Sequence, residues 1–181
     1  LVVDRFGDYL VVQIASAGME RHKADIIEAL VQCLKPAGIL LDNDHGAREL
    51  EGLARYQEVA HGTMPDTLEL LENGTRFRIP VGQGQKTGWF YDHRDNRARL
   101  QGWCRDRRVL DVFSYMGGWG VAAANAGARE VVCVDASATA LDGVATNAEL
   151  NGVADRVSAL QGKAIDVLKA LIADGETFDV V

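Results

Sequence analysis

The stretch "VLDVFSYMGGWGVAAANAGAREVVCVD", Val109 to Asp135, decides the fold. An apolar run leads into a glycine cluster, then a small-residue helical pattern ended by Gly127, then a second apolar run closing on an acid. Arg108–Phe113 and Glu130–Val134 are therefore predicted strands, with Trp119–Ala126 the helix between them. Ser137 is placed to cap a helix through about Leu150, closed by Asn151-Gly152, before strand Val157–Leu160, helix Ala164–Ala173 and a further apolar run, Phe178–Val181. Such alternation predicts a mainly parallel sheet with right-handed crossovers and helices on both faces. Its ligand belongs beyond the carboxyl ends of the strands, where the strand order reverses.

The turn chemistry narrows the ligand. A dinucleotide fingerprint reads G-x-G-x-x-G and lays a pyrophosphate on a helix N-terminus. Here the strand ends "DVFSYMGGWG", with Asp111 in the strand and glycines spaced G-G-x-G at Gly117, Gly118 and Gly120. An acid there repels a pyrophosphate and suits a cofactor carrying a sulfonium and an ammonium. Asp135, at the end of the second strand, falls where a ribose-binding carboxylate belongs. The expected cofactor is S-adenosyl-L-methionine, ahead of NAD.

Composition bounds the rest. A chain of 181 residues, 48% apolar and 25% charged, can bury a core and forms one domain or two small ones. It has no signal-peptide pattern and no apolar run long enough to span a membrane, so a cytoplasmic protein is expected. Cys33, Cys104 and Cys133 lack the paired spacing of a zinc site or a disulfide framework, so no metal is expected. The net charge of −7 opposes a nucleic-acid partner, whereas "HRDNRARLQGWCRDRR", His93 to Arg108, sets six arginines against two aspartates.

The first half reads differently. "LVVDRFGDYLVVQI" is a hairpin turning on Phe6-Gly7-Asp8, and a helix is predicted from about Met19 to Lys35 with Ile26, Ile27, Leu30, Val31 and Leu34 on one face. Strand "GILLD" follows, "ARELEGLA" can form a short helix, and Leu68–Pro80 is a hairpin turning on Asn73-Gly74. Residues 1–81 are thus expected to form a small α+β domain, and 82–181 a second domain. "VGQGQKTGWFYDHRDNR", Val81 to Arg97, is the hinge, with glycines at 82, 84 and 88 that permit close backbone paths. The chain opens without a methionine and closes inside a strand pattern, so a fragment is expected.

The hinge "QKTGWFYDHRDNR" followed by the DxFxxxGGxG turn resembles the class I methyltransferases that make 5-methylcytosine in large-subunit ribosomal RNA. In those proteins a PUA domain and a central domain precede a Rossmann-like methyltransferase domain. The resemblance implies a central α+β domain here and the first part of the methyltransferase domain after it. It assigns Asp111, Ser114, Gly117 and Gly118 to the first cofactor motif, and Asp135 to the ribose. It also assigns Lys86, Thr87, Gly88, Phe90, Asp92 and Arg94 to a segment beside the cofactor. Trp89, Tyr91 and His93 depart mildly from the family pattern. A larger departure is Lys163 in "LQGKAID", where an Asp near the adenine amino group is usual.

Methylating carbon 5 of cytosine needs a thiolate to attack carbon 6 and a base to take the carbon-5 proton. Cys33, Cys104 and Cys133 all sit in packing patterns, so no catalytic residue is expected in this chain. The resemblance places the catalytic cysteine and a D-P-P segment beyond Val181, and the chain alone is expected to be inactive. Ribosomal RNA is the implied partner, no membrane partner is expected, and a homodimer is left open. The alternatives are a methyltransferase acting on a small molecule or protein, and a non-catalytic methyltransferase-like module that binds RNA or protein.

Overall fold

The computed structural model describes residues 1–181, which cluster into two compact units: Leu1–Glu69 with Ile79–Phe90, and Leu70–Arg78 with Tyr91–Val181. No helix is long and apolar enough to cross a membrane.

In the first unit β1 (Val2–Phe6) and β2 (Tyr9–Gln13) pair antiparallel with Phe6 opposite Tyr9. Gly7 takes the left-handed conformation that the tight turn between them needs (φ 60). A short helix α1 (Ala17–Glu20) and the longer α2 (Lys23–Leu34) lead to β3 (Gly38–Asp42), then to α3 (Ala47–Leu50) and β4 (Gln57–Gly62). The sheet order is β1-β2-β3-β4, with β2 and β3 parallel and β4 antiparallel to β3. Ile27, Leu30, Val31 and Leu34 of α2 pack on Leu10, Val12, Ile14, Ile39 and Leu41, as the apolar face predicts.

Two expectations fail here. The single helix over 19–35 is two helices, broken at Arg21-His22. Ser16 caps α1 separately, and Glu20 gives one carboxylate oxygen to Arg48 (2.9 Å) and the other to Tyr56 (2.9 Å), a tertiary pull that outweighs helix continuity. Strand β4 was not expected at all. "QEVAHG" carries no apolar run, and it is a strand because β3 offers it a free edge.

The predicted hairpin is β5 (Thr67–Glu72) and β6 (Thr75–Pro80), a two-stranded sheet. Asn73 (φ 50) and Gly74 (φ 80) both take positive φ, as the two-residue primed turn requires.

The second unit adds a 3₁₀ turn (Tyr91–His93), α4 (Arg94–Gln101), β7 (Arg108–Val112), α5 (Gly120–Asn125), β8 (Glu130–Asp135), α6 (Ala138–Leu150), β9 (Val157–Gln161) and α7 (Ala164–Ala173). From β7 to α7 the strands and α-helices follow the predicted alternation. Strands β7, β8 and β9 are parallel, and Val180 bridges to Val109, also parallel, on the free edge of β7. The chain therefore walks outward from β7 to β9 and returns to the opposite side of β7. That reversal makes the carboxyl end of β7 the switch point where a ligand is expected.

On one face of this sheet Leu110, Val132 and Val134 pack with Val167, Leu168 and Leu171 of α7 and with Phe178. Small residues let α5 lie directly on the other face, where Val121 and Ala122–Ala124 are buried. The predicted cap on α6 is present, with Ser137 Oγ accepting the Ala140 N–H (3.2 Å).

Candidate functional site

The turn that leaves β7 runs through residues 113–119 and holds two non-glycine residues in the left-handed region, Phe113 (φ 63) and Tyr115 (φ 49), beside Gly117 (φ 79). Each non-glycine residue costs about 1–2 kcal/mol in that conformation, so surrounding bonds must hold the turn. Asp135, at the end of β8, does so. One carboxylate oxygen accepts the Tyr115 N–H (2.9 Å) and the other accepts the Ser137 N–H (2.9 Å), while Ser114 N–H donates to the Val134 carbonyl (3.0 Å). Asp135 therefore joins the two strand ends as well as standing where a ribose-binding carboxylate is expected. Each of its oxygens keeps a second acceptor site.

Asp111 lies inside β7 and is buried, with Oδ2 accepting the Gly120 N–H (2.8 Å). Burial pushes its pKa up to about 7, with a smaller push from Asp135; the Gly120 hydrogen bond and Arg97 pull the other way. Ser114 Oγ is buried beside the Cys133 thiol, whose pKa it pulls down against the larger push of burial. Phe113 is 78% exposed and, with His93, Asp111 and Trp119, lines an apolar cavity of about 510 Å³ beside β7.

The structure gives two of the glycines a packing cause. A Cβ on Gly120 would meet Cys133 Sγ at 2.5 Å and Asp111 Oδ2 at 3.1 Å, and one on Gly117 would meet Val121 at 2.7 Å. Both are therefore required by the packing of α5 and the turn on the sheet, before any ligand is considered.

The other residues singled out in the sequence divide between the units. Asp92 and Arg94 belong to the second; both are exposed, and the Arg94 carbonyl accepts from Asn73 (2.9 Å). Lys86, Thr87 and Phe90 belong to the first, where Lys86 Nζ lies 4.3 Å from the Phe90 ring centroid and Thr87 Oγ1 donates to Asp4 (2.5 Å). Lys163 is exposed at the N-cap of α7, just beyond β9, and its side chain caps nothing. Arg97 differs from the exposed Arg94 and Arg99 of the same run. It is buried, and its guanidinium makes a two-pronged pair with Glu72 of β5 (2.6 and 2.9 Å).

The cysteines are packed or peripheral. Cys133 is buried in β8, where burial and then the Asp111 charge push its thiol well above the usual range. Cys104 is buried after α4, donates to the Leu100 carbonyl (3.1 Å) and is also pushed up by burial, while Cys33 is exposed on α2. No group of three or more His, Cys, Asp or Glu side chains is arranged to hold a metal ion.

Residues 54–176, more than half of the chain, match the family described as S-adenosylmethionine-dependent methyltransferase. The chain belongs to that family. Among its relatives, Ribosomal RNA large subunit methyltransferase I of Aliivibrio fischeri is 37% identical over 183 residues, covering all of this chain and 46% of the relative. The same-named protein of Aeromonas salmonicida is 40% identical over 185 residues, again covering all of this chain and 46% of the relative. The chain thus spans about half the length of the curated relatives it matches. A solved chain from Streptococcus mutans assigned as a methyltransferase of this kind superposes with a TM-score of 0.85 at 23% identity, over 98% of this chain and 46% of that one. Another solved chain assigned as a methyltransferase and complexed with SAH gives 0.86 at 22% identity, with the same coverage. These likenesses establish the fold: mixed α/β and Rossmann-like, with a parallel sheet in the second unit.

Proposed function

We propose that this methyltransferase chain binds S-adenosyl-L-methionine at the carboxyl ends of β7 and β8, as part of an enzyme that makes 5-methylcytosine in large-subunit ribosomal RNA. One observation carries the cofactor site. Two carboxylates, Asp111 and Asp135, flank a strained turn at the switch point of the sheet. Bound there, the cofactor supplies an electrophilic methyl group. Asp135 has acceptor capacity left for ribose hydroxyls, Asp111 offers negative charge to a cationic ligand, and the Gly117-Gly118 turn brings backbone close. The assignments of Lys86, Thr87, Phe90, Asp92 and Arg94 to the cofactor rest on the resemblance.

The RNA and cytosine parts of the reading rest on the relatives' names and on the motif resemblance. Cys104 and Cys133 are poor thiolates, and in this reading the nucleophile for carbon 6 comes from elsewhere in the whole protein, as the resemblance implies, with the chain alone inactive. In the same reading, residues 1–81 act as the central domain and 82–181 as the methyltransferase part. Arg94 and Arg99 are exposed and available for phosphate. Charge reversal at both should weaken binding to single-stranded RNA and reduce the salt slope by about 1.4, at ~0.7 per phosphate contact. An unchanged slope returns α4 to an ordinary solvated face.

Asp135→Ala is the direct test of the cofactor site. Loss of charge-assisted bonds worth about 1.5–3 kcal/mol should weaken S-adenosylmethionine by roughly ten-fold or more in titration calorimetry. The unliganded protein should also melt lower, because two backbone N–H groups lose their acceptor. Unchanged affinity would leave Asp135 as a structural bracket only, and NAD binding tighter than S-adenosylmethionine would sink the cofactor assignment.

A further inference from the structure

We infer that Asn147 is a positioning residue for the cofactor turn: its buried side-chain amide ties the Met116 carbonyl to the backbone of β6 and so fixes the peptide that opens the Gly117-Gly118 pair. The inference rests on the proposed cofactor site and adds a residue outside it.

The glycine pair creates the need. Glycine populates both signs of φ, so a turn built on two of them has more backbone freedom to lose than any other. The Met116–Gly117 peptide is nevertheless held at both ends. Gly117 N–H donates to the Ser114 carbonyl (2.8 Å), and the Met116 carbonyl accepts from Asn147 Nδ2 (3.0 Å). Those two bonds set the plane of the peptide, and with it the direction of the next amides.

Helix α6 is shaped for this contact. Gly143 and Asn147 are four residues apart and share a face. A Cβ on Gly143 would lie 2.5 Å from the Met116 side chain, so Gly143 makes room for the side chain while Asn147 takes the carbonyl. Asn147 is fully buried. Its Oδ1 accepts the Arg78 N–H of β6 (2.7 Å), which fixes the amide with oxygen toward the strand and nitrogen toward the turn.

Asn151, one turn further along α6, supplies the contrast. Its Oδ1 accepts the Arg76 N–H (2.9 Å), and its Nδ2 donates to the Arg76 carbonyl (2.7 Å) and to the Asn147 carbonyl (2.7 Å). It grips β6 but makes none of these bonds to the turn. Asn147 grips both.

The test compares Asn147→Ala, Asn147→Asp and Asn151→Ala by calorimetry with S-adenosylmethionine and by thermal melting. Asn147→Ala should weaken the cofactor about ten-fold, the factor expected for one lost buried hydrogen bond. Asn151→Ala should lower the melting temperature yet stay within about two-fold of wild type in affinity. Asn147→Asp separates positioning from packing. Its carboxylate still accepts from Arg78 but faces the Met116 carbonyl with no proton to give. Protonation at low pH restores a donor, so its affinity relative to wild type should recover between pH 8 and pH 5.5. The charged residues on the flanking elements are Arg76 and Arg78 of β6, Asp142 and Glu149 of α6, Asp111 of β7 and Asp135 of β8, and dividing by wild type at each pH cancels what they contribute to both proteins. A flat ratio, wild-type affinity in a destabilised Asn147→Ala, or equal losses in Asn147→Ala and Asn151→Ala would each overturn the inference. If wild type itself binds no S-adenosylmethionine, the cofactor reading fails instead. Faster amide exchange at Gly117 and Gly118 in Asn147→Ala than in Asn151→Ala then still supports the positioning role, and equal rates overturn it.

Discussion

Arg97→Ala is expected to destabilise the chain by about 3–5 kcal/mol, because it removes the two-pronged partner of a buried carboxylate. Arg97 and Glu72 have side chains only 3% exposed, and the guanidinium meets both carboxylate oxygens. Taking two charges out of water costs several kcal/mol per ion, and their mutual attraction repays this only while both are present. Removing Arg97 takes away the two-pronged partner against which the Glu72 charge is buried. The double replacement Arg97→Met with Glu72→Leu removes both penalties and should recover most of the loss. Urea unfolding of the two single variants and the double variant measures this as a cycle. A loss under about 1 kcal/mol for Arg97→Ala would mean that water reaches Glu72 and that the pair is no clamp. The result also separates Arg97 from its neighbours Arg94 and Arg99, whose replacement should leave stability within about 0.5 kcal/mol of wild type.

The run of arginines shows where sequence reading stops. Helical spacing places Arg94, Arg97 and Arg99 on α4, but whether an arginine faces water or a carboxylate depends on Glu72, 25 positions away in a hairpin whose docking no local pattern reveals. The second unit was legible for the opposite reason. Strands β7 and β8 are buried on both faces, helix α6 is capped by Ser137 and α5 is stopped by Gly127, so these boundaries are written locally and agree with the fold around them. Strand β4 was illegible because its stability comes from the free edge of β3.

Within the candidate site, Asp111 and Asp135 could be picked out by position, whereas Asp135's bonds to Tyr115 and Ser137 could not. Asn147 was missed altogether. An Asn in the middle of a predicted helix carries no signal that distinguishes a buried anchor from a solvated residue, and only the fold brings Met116 and Arg78 to its two ends.

Asp111→Asn is expected to make the chain more stable and the cofactor site weaker. The Asp111 pKa is pushed up to about 7 in the folded protein, against about 3.9 in an unfolded chain. Between those two values the native state binds more protons than the unfolded state, so stability falls as pH rises through the window. At about 1.4 kcal/mol per pH unit, the accumulated penalty above pH 7 is at most ~4 kcal/mol. Asparagine keeps an oxygen that can accept the Gly120 N–H and removes both the buried charge and its repulsion with Asp135. Asp111→Asn should therefore exceed wild type by about 2–4 kcal/mol at pH 8 and match it only below about pH 3, where Asp111 is neutral in both states. Affinity should move oppositely. A carboxylate that ionises near pH 7 attracts a cationic ligand increasingly as pH rises from 5.5 to 8, and the amide does not. Dividing the wild-type affinity by that of the variant at each pH cancels the ligand's own titration. The quotient should climb and then level off above pH 7. A variant less stable than wild type at pH 8 would show that the carboxylate is well solvated or paired. A quotient that stays flat would remove Asp111 from the cofactor's electrostatics and leave it a strand residue that holds the first N–H of α5.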